Sequence, residues 1–419
     1  MRPYKRVCRA GTVLGVLVLA ASWRPSVAVA QSERPRAREA EIVVGYLPPG
    51  EHNAITDVPG VLVGQVTLIE GDSIRTGVTA IRPHPGDIFA SKVPAAIYVA
   101  NGFGKLTGVT QVEELGTIET PILLTNTLAV GRAADALVRW TLSQTGIEDV
   151  GSVNPVVGET NDGYLNAITT PRVGVAEVES ALSSARPGVV EEGSVGAGTG
   201  TRALGFKGGI GTASRRVRIG DRDYTLGVLV QSNFGGALEI RGVPVGRRLG
   251  VAGFLDSWMP SPAGEARGEA PDGGALDAAA GEWAFAAEEP DAQGGSIMIV
   301  VATDAPVEAQ GLARIARRAP YAIGRVGGFS SHGSGDYVIA FSTADGLRVP
   351  HQGEAPMLSR QALRGESLSP LFLAVIEATE EAILNSLFRA TTVTGWQGTS
   401  EALPIDRVLE LLEESESVD

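Results

Sequence analysis

The segment Gly294-Gly295-Ser296 has the residue types that a self-cleaving hydrolase requires. A serine hydroxyl can attack the carbonyl just before it where the backbone is strained and unhindered. Glycine suits that position because it lacks Cβ and tolerates positive φ. Cleavage would leave Ser296 with a free α-amine, of reference pKa about 7.7–8.0, which can act as a general base for its own hydroxyl. The Gly-Ser pair alone is a weak signal, because it also occurs at Ser152, Ser194 and Ser334.

The surroundings of Ser296 distinguish it from the other Gly-Ser pairs. Residues 261–295 are rich in Ala, Gly, Pro and acidic residues and can bury little apolar surface, which predicts a mobile acidic linker. The apolar, β-branched run 296–303 follows at once and predicts a strand buried on both faces. A nucleophile at the first residue of such a strand would be rigid yet open to solvent. An ordinary interdomain linker leading into a strand is the alternative interpretation.

Ser334 and Asp336 form a second candidate site just before a predicted strand. Residues two apart in an extended segment face the same side. A hydroxyl backed by a carboxylate could therefore relay or orient the proton of a nucleophile. A polar turn is the alternative.

Two further polar segments could bind substrate. Residues 158–166 are dense in hydrogen-bonding side chains, and Glu159 among them could neutralise a substrate ammonium. Asn233 ends a predicted strand, where its side-chain amide could donate to an oxyanion. A turn with Asx capping and a buried, satisfied Asn are the respective alternatives.

Other chemistries lack support in the sequence. The four histidines are not spaced like the ligands of a metal site: His52, His84, His332 and His351. The glycine-rich run 196–211 lacks the Gly-Lys-Ser/Thr ending of a phosphate loop, so it predicts close backbone packing instead.

The first thirty residues predict a signal peptide that is cut after Ala30. A basic start is followed by an apolar run over 11–21 and a small-residue site at 28–30, with a short membrane anchor as the alternative. Residues 31–41 are polar and predict a flexible lead-in. No later segment has eighteen uninterrupted apolar residues, so the mature protein is not expected to span a membrane.

Cysteine content and charge exclude several classes of function. The only cysteine, Cys8, lies in the leader, which excludes disulfides, thiolate metal sites and a cysteine nucleophile in the mature chain. The net charge of −13 becomes more negative once the basic leader is removed. Such a surface repels phosphate backbones, so nucleic-acid binding is not expected.

Short apolar runs alternate with glycine-rich turns and helical patterns from Ile42 onward, which predicts an α/β protein. The patterns predict strands at 60–69, 95–101, 121–128, 224–232, 296–303 and 336–342, and helices at 130–143, 308–318, 369–387 and 405–414.

Taken together and in this order, the motifs resemble one family, the L-aminopeptidase/D-esterase and β-peptidyl aminopeptidase family of self-processing serine peptidases. The matching segments cover nearly the whole mature chain: ITDVPGV (55–61), GETNDG (158–163), GAGTG (196–200), KGGIGT (207–212), VQSNFG (230–235), GSIMIVVATD (295–304) and SHGSGD (331–336).

The resemblance implies a four-layer αββα sandwich, similar to N-terminal-nucleophile hydrolases in architecture but with different connectivity. One hydrolase domain would be cut into an α chain, 42–295, which ends in the acidic linker, and a β chain, 296–419. The family forms oligomers of such α/β pairs. No metal or cofactor is implied.

The resemblance also implies a role for each candidate residue. The expected roles are nucleophile for Ser296, supporting pair for Ser334 and Asp336, oxyanion donor for Asn233, holder of the substrate amine for Glu159, and pocket residue for Tyr164. Position 336 departs from family members that carry Glu, and the shorter arm could alter the relay.

The implied protein is a periplasmic or secreted aminopeptidase that hydrolyses N-terminal L-, D- or β-aminoacyl amides, esters or short peptides through an acyl-enzyme. Acyl transfer of the ornithine-acetyltransferase type is one alternative, although those enzymes use Thr. A non-enzymatic periplasmic binding protein is another, and it would need no chain break.

Overall fold

The computed structural model describes residues 34–252, 295–352 and 356–417. The predicted leader, its cleavage site after Ala30 and residues 261–294 of the predicted linker lie outside these ranges. Within them, no helix has both the length and the apolar character needed to cross a membrane.

The described residues form fifteen strands and eight α-helices. The strands are β1 (Leu62–Glu70), β2 (Ile74–Arg82), β3 (Ser91–Gly102), β4 (Thr117–Ile118), β5 (Ile122–Asn126), β6 (Val156–Thr160), β7 (Arg202–Ala203), β8 (Phe206–Lys207), β9 (Gly209–Ile219), β10 (Arg222–Asn233), β11 (Ser296–Thr303), β12 (Gly335–Ser342), β13 (Val349–Pro350), β14 (Val393–Thr394) and β15 (Thr399–Ser400). The helices are α1 (Val109–Leu115), α2 (Val130–Gln144), α3 (Val175–Ser183), α4 (Val245–Arg248), α5 (Ala309–Ala316), α6 (Tyr321–Arg325), α7 (Ser369–Phe388) and α8 (Ile405–Glu416).

Two sheets make up the centre of the fold. The smaller sheet has the strand order β1-β2-β5-β6, and the larger has the order β13-β3-β12-β11-β10-β9, with β4 added on β3. Each sheet contains one parallel pair, β5 with β6 and β11 with β12. Because β11 lies between β10 and β12, residues on both sides of the 295–296 bond build the same sheet.

Alternating side chains of β11 show how the layers stack. Met298 and Val300 pack with Leu124 of the smaller sheet, in the core between the sheets. Ile299 points the other way and packs with helix α7 residues such as Leu384 on the outer face. A third core joins α2 and α3 to the opposite face of the smaller sheet. The architecture is therefore αββα, as expected, and β11 is buried on both faces, as its sequence predicts.

The predicted strands and helices are all present, with ends that differ by a few residues. The sequence patterns missed several elements, the longest of which are β2, β9 and α3; the site strand β6 was also missed. Strand β9 begins inside the glycine-rich run, where turn-forming residues hide the strand pattern. A Cβ on Gly211 would lie 1.9 Å from the carbonyl oxygen of Ala382 in α7. Glycine therefore lets the helix approach the sheet closely, which confirms the packing role predicted for this run.

The predicted flexible lead-in differs from what the structure shows over 34–41. The Arg34 guanidinium donates to the carbonyl oxygen of Phe388 at 2.9 Å, and that of Arg36 donates to the carbonyl oxygen of Thr212 at 2.6 Å. The start of this segment is therefore hydrogen-bonded to the core. Arg34 and Arg36 bind backbone carbonyls, and Arg38 pairs with the Glu381 carboxylate at 2.9 Å, so the arginines that suggested flexibility instead attach the segment to the core.

Candidate active site

Ser296 is the first residue of β11 and lies at one end of the larger sheet. It is directly opposite Asn233 on antiparallel β10 and beside Gly335 on parallel β12. Its exposed fraction is only 5%. Directly opposed residues of an antiparallel pair project their side chains to the same face. The register therefore brings the Ser296 hydroxyl and the Asn233 amide to one place.

The backbone N–H of Gly335 lies within reach of both atoms that a self-cleavage step would involve. Its nitrogen is 3.2 Å from the carbonyl oxygen of Gly295 and 3.2 Å from Oγ of Ser296. Both distances are at the long end for hydrogen bonds. A donor in this position can polarise the Gly295 carbonyl and stabilise the oxyanion that forms when a hydroxyl attacks it.

Gly295 is required by close packing. A Cβ at this position would lie 2.2 Å from Cα of Phe234 and 2.5 Å from the carbonyl oxygen of Asn233. The residue leaves the carbonyl side of the 295–296 bond unhindered because it has no side chain.

One hydrogen bond fixes the orientation of the Asn233 amide. Its Oδ1 accepts the backbone N–H of Arg202 at 2.9 Å. A backbone N–H can donate only to the oxygen, so the NH2 group is left as the donor side of the amide. Tyr164 lies one residue further away, with its ring centroid 3.9 Å from the guanidinium carbon of Arg202. Tyr164 thus contacts the side chain of a residue whose backbone N–H binds Asn233.

Ser334 and Asp336 flank Gly335 and are hydrogen-bonded to each other. The Ser334 hydroxyl donates to Oδ1 of Asp336 at 2.5 Å, and both side chains are buried. Burial raises the pKa of Asp336, and hydrogen bonds from Ser330 and Ser334 oppose the rise. The side chain of Asn101 donates to the carbonyl oxygen of Ser334 at 2.5 Å and so fixes the approach to β12. The expected contact between Ser334 and Asp336 is therefore present.

Glu159 reaches the site from the other sheet. Its Oε1 accepts the backbone N–H of Lys105 at 2.9 Å, and the Thr127 hydroxyl donates to its Oε2. Burial raises the pKa of Glu159, while the hydrogen bonds from Thr127 and Lys105 oppose the rise. A Cβ on Gly104 would lie 3.2 Å from both Oε1 of Glu159 and Cα of Gly335. Gly104 therefore lies between the Glu159 carboxylate and Gly335, the register partner of Ser296.

Three residues of the site were missed by the sequence patterns. Gly335 acts through its backbone N–H, which no side-chain pattern reveals. Thr127 directly follows β5, whose register places Thr125 beside Glu159. Tyr337 is buried, and a Cβ on Gly104 would lie 3.0 Å from its ring. The position of Thr127 just beyond β5 could have indicated that it lies near Glu159. That inference requires the parallel partner β6, which the sequence patterns missed.

Within the ranges that the structure describes, no group of three or more His, Cys, Asp or Glu side chains could hold a metal ion.

Comparison with known proteins gives matches over most of the chain. Residues 53–401 match the model of peptidase family S58. The chain is 40% identical over 387 residues to the beta-peptidyl aminopeptidase BapA of Sphingosinicella microcystinivorans, covering 90% of this chain and 91% of that protein.

Solved structures agree with this match. A beta-aminopeptidase from Burkholderia sp. superposes with a TM-score of 0.76 at 38% identity, covering 91% of this chain and 99% of that one. The L-aminopeptidase D-Ala-esterase/amidase of Ochrobactrum anthropi gives a TM-score of 0.78 at 36% identity, with the same coverage. The latter is described as a prototype of the serine aminopeptidases and a new variant among the Ntn hydrolase fold, which confirms the expected fold class. The chain belongs to peptidase family S58, a family of aminopeptidases.

Proposed function

We propose that this protein is an exported aminopeptidase that cleaves its own backbone between Gly295 and Ser296 and then uses Ser296 as its nucleophile. The observation that carries the proposal is the Gly335 N–H, 3.2 Å from both the Gly295 carbonyl oxygen and Ser296 Oγ. The same donor serves the attacked carbonyl and the attacking hydroxyl. Family membership and the signal-peptide pattern of residues 1–30 support the proposal.

Self-cleavage begins with attack of Ser296 Oγ on the Gly295 carbonyl carbon. The new C–O bond forms, the carbonyl becomes an oxyanion beside the Gly335 N–H, and the C–N bond then breaks as the nitrogen takes up the hydroxyl proton. This step gives an ester and frees the α-amine of Ser296. Water then hydrolyses the ester, which leaves a carboxylate on Gly295 and regenerates the Ser296 hydroxyl. Gly295 has no side chain to hinder the attack, and the close packing leaves no room for one.

Catalytic turnover uses the same groups on an external carbonyl. The new α-amine takes the proton from Ser296 Oγ, and Oγ attacks the first carbonyl of the substrate. The Asn233 NH2 and a backbone N–H stabilise the oxyanion. The hydrogen-bonded pair Ser334 and Asp336 supports the proton movement. The leaving amine departs with a proton, and water clears the acyl-enzyme.

Glu159 gives the site its requirement for a free N-terminus. Its carboxylate is buried, held by two hydrogen bonds, and close to Gly335, so it can pair with a substrate ammonium while the first carbonyl meets Ser296. Tyr164, which packs against the guanidinium of Arg202, is the proposed pocket residue. The substrates are short peptides, amides or esters with an N-terminal L-, D- or β-aminoacyl group. By analogy with the family, the active protein is an oligomer of α/β pairs in the periplasm or outside the cell.

The requirement for a free amine tests the proposed function. Aminoacyl p-nitroanilides with free amines are compared with their N-acetylated counterparts, which keep the scissile bond but lose the ammonium. We expect p-nitroaniline release only from the free-amine compounds, at a rate proportional to the amount of cleaved protein. Equal hydrolysis of both series would remove Glu159 from amine binding, and no hydrolysis of any member of an L, D and β panel would overturn the aminopeptidase proposal.

A further inference from the structure

The two halves of the proposed site belong to different sheets. Glu159 is the next-to-last residue of β6 in the smaller sheet, and Ser296 begins β11 of the larger one. The separation of their side chains sets how many atoms fit between the amine and the scissile carbonyl of a substrate. A β-aminoacyl group has one more backbone carbon than an α-aminoacyl group, about 1.5 Å of extra chain. The spacing of the two sheets at this level therefore matters for substrate choice.

Gln231 connects the sheets at this level. It lies on β10 of the larger sheet and is 1% exposed. Its Nε2 donates to Oγ1 of Thr160 at 2.9 Å and to the carbonyl oxygen of Thr125 at 3.1 Å, both on the smaller sheet. Thr160 directly follows Glu159, and Thr125 is the register partner of Glu159 on β5. One amide thus holds both strands that carry the amine-binding end of the site.

The other end of the connection lies equally close to the nucleophile. Gln231 is two residues before Asn233, and its register partner on β11 is Met298, two residues after Ser296. The carbonyl oxygen of Ala197 also lies 2.9 Å from Nε2, so the two N–H groups of the amide are shared among three acceptors. A shift at Gln231 would therefore be transmitted to the nucleophile strand within two residues.

Stability of the fold does not by itself explain a glutamine at position 231. Its Oε1 is buried and has no hydrogen-bond partner within the described part of the chain. A buried polar atom without a partner destabilises the fold, and an apolar side chain of similar shape would avoid that cost. The benefit of the glutamine is the connection made by its NH2 group.

We propose that Gln231 is a positioning residue that fixes the distance between the Glu159 carboxylate and the Ser296 hydroxyl, and so discriminates α-aminoacyl from β-aminoacyl substrates. This inference rests on the proposed function of Glu159 and Ser296. It concerns geometry, so it predicts a change in the ratio of two rates rather than a general loss of activity.

The test compares kcat/KM for L-alanyl and β-alanyl p-nitroanilide in the full-length wild type and in Gln231→Met. Met keeps the length of the side chain and removes the donor. A misplacement of about 1 Å can change a rate by about 100-fold, so we expect the ratio of the two kcat/KM values to move toward one by about 10-fold or more. Thr160→Val removes only one acceptor and should move the ratio in the same direction by a smaller factor. The Thr160→Val variant keeps the inference testable if Gln231→Met does not fold.

Gln111→Met is the matched control. Gln111 is also buried and donates from Nε2 to one carbonyl oxygen, that of Thr117 at 3.1 Å, and among the residues that the structure describes its Oε1 has no partner. It lies on α1, and its variant should keep the wild-type ratio. A ratio that stays within about twofold in folded Gln231→Met or Thr160→Val, while both rates fall together, would overturn the inference. A wild type that hydrolyses neither substrate would overturn the proposed function itself.

Discussion

Replacing Asn233 separates its two hydrogen-bonding roles. Its Oδ1 accepts the Arg202 N–H, and its NH2 is the proposed oxyanion donor. Asn233→Ala removes both the acceptor and the donor. Asn233→Asp keeps an oxygen for Arg202, removes the donor and introduces a carboxylate. Both variants therefore lack the oxyanion donor, and only Asn233→Ala also lacks the acceptor for Arg202.

The expected magnitudes follow from these contacts. Loss of one oxyanion donor lowers kcat by about 10²–10³, which corresponds to about 2.7–4 kcal/mol. We expect at least this loss in both variants, and more in Asn233→Asp when its carboxylate is ionised, because it would repel the oxyanion. Asn233→Ala also leaves a buried N–H without its acceptor, so its free energy of unfolding should fall by about 1–3 kcal/mol.

The assay is hydrolysis of an aminoacyl p-nitroanilide, with rates normalised to the concentration of chains that start at Ser296. Denaturant unfolding of the same samples gives the stability. Gln144→Glu adds one negative charge at the exposed end of α2 and should retain wild-type kcat. If Asn233→Asp retained wild-type kcat while Asn233→Ala lost it, the acceptor would be the important group and the oxyanion role would be refuted.

Two further predictions concern the buried carboxylates. Glu159→Gln should raise KM for free-amine substrates by about 10- to 100-fold, the effect of losing a hydrogen bond to a charged group. Because burial raises the pKa of Glu159 and only its ionised form attracts an ammonium, wild-type KM should fall as pH rises through that raised pKa. The variant should lack this dependence, and a KM equal to that of wild type would exclude Glu159 from amine binding. Ser334→Ala should lower kcat by about 100-fold and move the acidic limb of the pH–rate profile to higher pH, because the hydrogen bond from Ser334 lowers the pKa of Asp336; an unshifted limb with kcat near that of wild type would contradict the supporting role.

The sequence predicts those parts of the fold whose signals are local. The run 296–303 is apolar at every position but its first and last, so a strand buried on both faces follows from composition alone, and the structure agrees. Helix α7 likewise follows from its length and apolar character. Strand β9 could not be predicted in this way because Gly209 and Gly211 serve close packing against other backbone segments, which a local pattern cannot show.

The site was predictable residue by residue, but its assembly was not. Ser334 and Asp336 are two apart, so their contact follows from extended geometry. The approach of Glu159 to Gly335 depends on two sheets meeting at Gly104, a position with no chemical signal of its own. The role of a backbone N–H, as at Gly335, likewise depends on strand register and appears only in the folded chain.

The intact mass of the purified protein tests the central claim most directly. Wild-type protein should contain two chains, the larger ending at Gly295 and the smaller running from Ser296 to Asp419. Ser296→Ala should remain one uncut, inactive chain, while Ser152→Ala, at an exposed Gly-Ser pair, should be cut like the wild type. A wild type that is active as a single uncut chain, or a Ser296→Ala variant that still yields a chain starting at residue 296, would contradict self-cleavage by Ser296.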